Sequence, residues 1–305
     1  MTSKTQNRSD IYTRITDQIV GALEKSVKPW TQPWSSGHAA GPVSRPLRFN
    51  GECYSGINVL TLWASAMERS FAAPIWMTFK QALELGGHVR KGEKGSPVVY
   101  ANSIVKTEID EKTGDEADVT IPFMKGYTVF NVEQIEGLPA HYYALRESSR
   151  NPDERLAHAE EFFAALGANV LNGGNAAYYR MASDHIQMPA FEAFFNAQSY
   201  YSTLAHESVH WTRHSSRLDR TFEQQRFGDA GYAKEELVAE LGAAFLCADL
   251  ELKLEDRNDH AAYISSWLQV LRDDKRAIFA AAAHAQCAVD YLHGLQDERP
   301  EAEAA

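Results

Sequence analysis

Apolar residues recur every three or four positions near the start of the chain. Ile11, Ile15 and Ile19 fall on one stripe there and predict a helix. A second helix is predicted over Ile57–Arg69. A third opens at Thr78-Phe79-Lys80-Gln81, which spells a capping box, and stops at Gly86-Gly87. Between the first two, the stretch from Lys28 to Tyr54 keeps no period, and prolines at 29, 33, 42 and 46 exclude regular structure. The pattern then turns to β-rich runs. Residues 97–106 and 119–132 read as the strands of a long hairpin, joined by the acidic stretch from Glu108 to Asp118.

The second half is predicted to be mainly helical. A helix from Glu154 carries Leu156, Phe162, Phe163 and Leu166, followed by two short strands, 177–181 and 185–189, that turn at Ser183-Asp184. Residues 198–211 contain neither Pro nor Gly and read as a helix. Residues 232–246 form another, with Leu237, Leu241 and Ala244 on one stripe, and 261–295 is a last helical run. A Pro-, Gly- and Ser-marked stretch from Gly137 to Asp153 reads as a linker. The expected fold class is therefore α+β in two domains. Residues 1–148 form an α+β module, 149–297 a mainly helical domain, and 298–305 a disordered acidic tail.

The chemistry is concentrated in His206-Glu207-Ser208-Val209-His210, the pattern H-E-x-x-H. Two imidazoles four residues apart share one helix face and can reach one divalent cation, most plausibly Zn²⁺, with Mn²⁺ as the alternative. Glu207 stands beside the first ligand, where its carboxylate can take a proton from a water that the cation has acidified. A tetrahedral site of this kind needs a third protein ligand. Glu236 and Glu240 are one turn apart on the next helix and project the same way. Glu236 is taken as the ligand and Glu240 as the group that orients a ligating imidazole, with the reverse assignment left open. His214 extends the row of histidines but lacks the spacing of a three-histidine site. Tyr178, His185, Tyr201 and Tyr232 could each polarise a substrate carbonyl, and nothing in the sequence ranks them.

Composition narrows the setting. Cys53, Cys247 and Cys287 are far apart and form no CxxC pair, which argues against a disulfide framework or a zinc ribbon. No 18-residue apolar run spans a membrane, and the polar N-terminus lacks a signal-peptide core, so a cytoplasmic protein is expected. Net charge is −11, but it is unevenly spread. Residues 1–107 hold 13 Lys and Arg against 7 Asp and Glu, whereas 151–305 hold 13 against 25. Such asymmetry points to nucleic-acid contact by the first half. Aromatic rings interleaved with cations suit base stacking and phosphate neutralisation. Lys28, Trp30, Trp34, Arg45, Arg48 and Tyr54 provide them in the proline-rich stretch, and Arg90, Lys91, Lys94 and Lys106 add charge at the base of the hairpin.

The order of motifs is recognisable. Tyr200-Tyr201 precedes the HExxH segment, Ser216-Arg217-Leu218-Asp219-Arg220 follows it, and Tyr232 to Leu246 completes a block that closely resembles the zincin-like domain of ArdC-type antirestriction proteins. Tyr54-Ser55-Gly56-Ile57-Asn58-Val59-Leu60, Trp76-Met77-Thr78-Phe79-Lys80-Gln81-Ala82 and the stretch from Gly87 to Val98 resemble the ArdC N-terminal module, also found in TraC-type plasmid primases. The resemblance spans about residues 9–285. It implies a plasmid-borne protein that shields incoming DNA from host restriction, binds single-stranded DNA through its first half and carries a metallopeptidase-like second half. Two other readings stay open: a metalloprotease that cleaves a host regulatory or restriction protein, and a DNA-binding shield whose metal is structural.

Overall fold

The computed structural model describes residues 10–25, 27–31, 44–109, 116–143, 152–222, 230–254 and 260–297. Trp34, the expected domain boundary at 148 and the acidic tail lie outside them. The first half begins with α1 (Ile11–Leu23), β1 (Leu47–Arg48), α2 (Ile57–Arg69), β2 (Ile75–Thr78) and α3 (Phe79–Glu84). It continues with β3 (His88–Val89), β4 (Ser96–Ile109), β5 (Glu116–Asn131) and β6 (Ile135–Glu136). A four-stranded sheet has the order β1-β2-β5-β4, and β3 pairs with β6. The expected capping box is present: Thr78 Oγ1 accepts from the Gln81 N–H, and Gln81 Oε1 accepts from the Thr78 N–H. The strands β4 and β5 pair antiparallel from Ser96↔Val129 to Ile109↔Glu116, so residues 108–109 and 116–118 extend the ladder rather than the loop.

The second half comprises α4 (Pro152–Ala165), β7 (Asn169–Asn172), β8 (Tyr178–Arg180), β9 (His185–Met188), α5 (Ala197–Trp211), α6 (Ala230–Asp249), α7 (His260–Asp273) and α8 (Ala277–Asp297). The strands form a small mixed sheet, β7-β9-β8, with β7 parallel and β8 antiparallel to β9. The single helical run expected over 261–295 is broken at Asp274-Lys275-Arg276, where the Thr16 hydroxyl donates to the Lys275 carbonyl (2.7 Å) and the Asp274 carboxylate accepts from the Arg276 N–H (2.8 Å). No helix among the described residues is long and apolar enough to cross a membrane.

The two halves share one hydrophobic core. Ile15, Ile19, Leu60 and Trp63 from the first half join Leu237, Phe245, Trp267 and Ile278 from the second in a single buried cluster. Aromatic pairs lie along the seam: Tyr12 with Phe279 (4.6 Å between centroids), Trp63 with Phe245 (5.9 Å) and Trp30 with Trp267 (6.0 Å). Such pairs add about 0.5–1.5 kcal/mol each beyond their buried area. A smaller cluster, including Met77, Ala82, Val132 and Ile135, fills the outer part of the first half.

Candidate metal centre

The centre is built where α5 meets α6. Asn196 starts α5 by accepting the Ser199 N–H (2.8 Å), and the helix is buried from Tyr200 to Trp211. At Gly242 the second helix comes so close that an added Cβ would stand 2.7 Å from Val209 Cγ2. Only a residue without a side chain permits that approach. It brings Glu236 onto the histidine pair, with Oε2 3.6 Å from His206 Nε2 and Oε1 3.4 Å from His210 Nε2. The rings of His206 and His210 meet edge to face at 4.9 Å. One ligand atom from each of His206, His210 and Glu236 lies within 4.8 Å of the others, an arrangement able to hold a metal ion. Two imidazole nitrogens and a carboxylate oxygen are donors that suit a borderline divalent cation. Glu207, the next residue on α5, is buried.

Behind His210 lies a carboxylate that the sequence pattern did not single out. Glu235 Oε1 is 3.0 Å from His210 Nδ1. Its other partner is Arg220, which donates from Nη2 to Oε1 (2.8 Å) and from Nε to Oε2 (2.9 Å). Arg220 also donates to the Val209 carbonyl (2.9 Å) and to Thr212 Oγ1 (3.1 Å), tying the end of α5 to the pair. Burial opposes the Glu235 charge, but the Arg220 hydrogen bonds outweigh it and lower the carboxyl pKa to about 2. Burial likewise disfavours a cationic His210, yet Glu236 and Glu235 raise it to about 10. Against the same desolvation, His210 and His206 hold Glu236 well below the usual carboxylate range. A proton and a metal cation thus compete for one anionic nest.

Glu240, expected to orient an imidazole, places Oε2 3.9 Å from His206 Nδ1. Its Oε1 accepts from Lys28 Nζ (3.4 Å) and Trp30 Nε1 (3.2 Å). Tyr232 is the member of the unranked aromatic and histidine set that faces this centre. Burial, then its Tyr263 hydroxyl partner at 3.1 Å, then Glu236 push its phenol far above the ordinary value, so it stays a neutral donor. His214 turns away, its Nδ1 2.8 Å from Ser216 Oγ.

Four of the expected DNA-contacting residues are instead interior. Lys28 and Trp30 are buried with their nitrogens on Glu240. Arg45 lies over the Phe245 ring at 5.0 Å and donates to Asp249 and Gln286, both at 2.7 Å. Tyr54 is buried, and burial raises its phenol pKa to about 12. The cause is the shared core: these rings and cations fill the seam between the halves. Arg48, paired with Glu52, remains at the surface, as do Arg90, paired with Glu93, and Lys91, Lys94 and Lys106.

Comparison with known proteins follows the same division. A family described as zincin-like metallopeptidase matches residues 157–284, and one described as the N-terminal domain of the anti-restriction factor ArdC matches 9–130. The crystal structure of the antirestriction protein ArdC from plasmid R388, in its metal-free form, superposes with a TM-score of 0.78 at 45% identity, covering 96% of this chain and 100% of that one. The chain belongs to the ArdC antirestriction family. The R388 ArdC protein has also been solved with Mn(II) bound, and that structure matches at 44% identity with a TM-score of 0.76, covering 95% and 100% of the two chains. Kinship extends to an uncharacterized protein, y4eC, of Sinorhizobium fredii, 42% identical over 96% of this chain and 94% of that one. The DNA primase TraC of Escherichia coli is 37% identical over 96% of this chain, which spans 28% of the primase. Together with the donor cluster, membership of the ArdC family points to a divalent metal.

Proposed function

We propose that this protein protects incoming plasmid DNA from restriction, holding single strands on its first half and a divalent cation on its second. One observation carries the reading: three residues able to hold a metal ion lie together inside a chain that aligns over 96% of its length with an antirestriction protein. His206, His210 and Glu236 would hold the cation, Zn²⁺ or Mn²⁺. When bound, such a cation acidifies water and polarises a carbonyl. Glu207, fixed next to His206, is placed to accept a proton from the attacking water and return it to the leaving amine. Tyr232, a neutral donor beside Glu236, can hydrogen-bond a carbonyl oxygen as charge develops on it. The edge strand β8 packs beside α5 with Tyr178 exposed and Met181 exposed just past its end, which favours an extended peptide as the hydrolysed substrate.

For single strands the hairpin offers a better surface than the proline-rich stretch. Directly paired residues share a face, so Tyr100, Ile104 and Lys106 stand with Lys125, Ile121, Phe123 and Tyr127. On the opposite face the base of the hairpin meets α1, where a Cβ on Gly126 would touch Ile11 at 3.4 Å. Tyr100, Tyr127, Lys106 and Lys125 are exposed, and alternate residues along a strand are about 6.5–7 Å apart. Rings and ammonium groups at that spacing suit an extended strand, each stacked base contributing about 1–3 kcal/mol.

The test is protection of a transferred plasmid in a restricting recipient, read beside anisotropy of labelled single- and double-stranded DNA. Tyr100→Ala with Lys125→Ala is expected to weaken single-strand binding and protection together. Glu207→Ala is expected to keep metal and lose protection. Full protection by Glu207→Ala would instead mark the protein as a shield with a structural metal.

A further inference from the structure

We propose that Lys28 and Trp30 are positioning residues of the metal centre. In this reading the first half of the chain supplies the support that fixes His206 for metal binding. The proposal rests on the assignment of His206, His210 and Glu236 as ligands, and adds to it a connection between the halves.

Glu240 is a buried carboxylate, and such a group must be compensated by donors or charge. Two donors to it come from the short segment after α1. Lys28 Nζ and Trp30 Nε1 converge on the same oxygen, Oε1. The convergence sets the rotation of the carboxylate and leaves Oε2 facing His206 Nδ1 at 3.9 Å. At 3.9 Å this carboxylate lies beyond direct hydrogen-bond reach of Nδ1, so it acts on the ring as a nearby charge that favours a proton on Nδ1 and a lone pair on Nε2, the atom that faces Glu236. A tighter version stands at the second ligand, where His210 Nδ1 is within hydrogen-bond distance of Glu235, at 3.0 Å, and Glu235 is held by Arg220. Each imidazole therefore has a carboxylate behind it and a cation behind the carboxylate. For His206 the cation is Lys28, 212 residues away from Glu240 in sequence. The indole of Trp30 is clamped in turn against Trp267 of α7. The segment is therefore anchored by packing as well as by its two hydrogen bonds.

The experiment measures Mn(II) binding alone, by calorimetry and by the electron paramagnetic resonance of free Mn(II), on the full chain at neutral pH. Trp30→Phe keeps a ring against Trp267 and removes only the N–H; Lys28→Met removes the charge; Lys28→Arg restores it. His210→Ala reports on the ligand assignment itself. Met77→Ala, in the separate outer core, lowers stability without touching Glu240. Loss of a group that orients a metal ligand weakens affinity by about 10–100-fold. Trp30→Phe and Lys28→Met are expected in that range, with Lys28→Arg near wild type and Met77→Ala unchanged. Circular dichroism confirms which variants are folded, and Trp30→Phe decides the matter if Lys28→Met is not. Mn(II) affinity within about twofold of wild type in folded Trp30→Phe, alongside a large loss in His210→Ala, overturns this proposal and leaves the ligand set standing. No Mn(II) uptake by wild type overturns both.

Discussion

The two imidazoles of the centre are supported by different kinds of contact. Behind His210, Glu235 is gripped by a guanidinium through two parallel hydrogen bonds of 2.8 and 2.9 Å, and Arg220 lies only 15 residues away in sequence. Behind His206, Glu240 is touched by an ammonium at 3.4 Å and an indole N–H at 3.2 Å, both more than 200 residues distant. A planar fork matched to a carboxylate gives two directed bonds, whereas an ammonium gives a point charge on a flexible stem. The first support is local and stiff. The second forms only when the halves fold together, which makes half of the metal centre a property of the interdomain core. Deleting the first half would remove Lys28 and Trp30 and also expose the seam, so point substitutions are the cleaner probe.

The largest effect is expected from the stiff side. Arg220→Met leaves Glu235 buried without its fork, and breaking a buried pair in this way costs about 3–5 kcal/mol. Urea unfolding of the metal-free protein measures it, and a loss equal to that of Lys28→Met would erase the contrast. Acid should reveal the same pair. The folded pKa of Glu235 is lowered to about 2. Its contribution is therefore complete above the ordinary carboxylate range, near pH 4.5, and lost as the pH falls through about 2. His210 runs the other way. Its folded pKa is raised to about 10, so its contribution in the metal-free protein is complete below about pH 6.5 and fades as the pH rises through 10. Melting the metal-free protein between pH 2 and 10 should show both flanks, and the acid flank should flatten in Arg220→Met.

A smaller effect bears on both sides at once. Glu235, Glu236 and Glu240 all ride on α6, and Gly242 sets how closely that helix approaches α5. Gly242→Ala forces a methyl into Val209 and is expected to cost about 1–3 kcal/mol through overpacking. Because the helix must move, Mn(II) affinity should fall as well. Retained affinity with lowered stability would mean that α6 tilts about the ligands rather than away from them.

Much of this was legible in the chain. The HExxH helix and the second acidic helix follow from helical periodicity, and the ligand number of a zincin-type site asked for one of Glu236 and Glu240 without deciding between them. The hairpin and the capping box at Thr78 are equally local signals, and the structure contains both. What the pattern did not reveal is long-range. Glu235 reads as a solvated neighbour of Lys234 until Arg220 is seen folding back onto it, although the Arg217–Arg220 block just after the motif was a usable sign. Lys28, Trp30 and Arg45 have the composition of a nucleic-acid loop, and periodicity cannot tell an exposed aromatic–cation cluster from one that fills a seam. Parallel pairing of β7 with β9 was invisible for the same reason, since Asn169–Asn172 carries a partner 16 residues on and no alternation of its own.

The smallest effect tests the weaker support most directly. Trp30→Phe keeps the aromatic contact with Trp267 and deletes one hydrogen bond to a carboxylate that retains Lys28. Loss of a single hydrogen bond of this kind is expected to cost about 1 kcal/mol in urea unfolding of the metal-free protein. The stability change should be slight while the Mn(II) affinity change is large, because rotating the carboxylate disturbs the histidine more than it disturbs the core. If stability falls as far as it does in Arg220→Met, Trp30 is a strut of the seam first, and the asymmetry between the two imidazoles is one of packing rather than of hydrogen bonding.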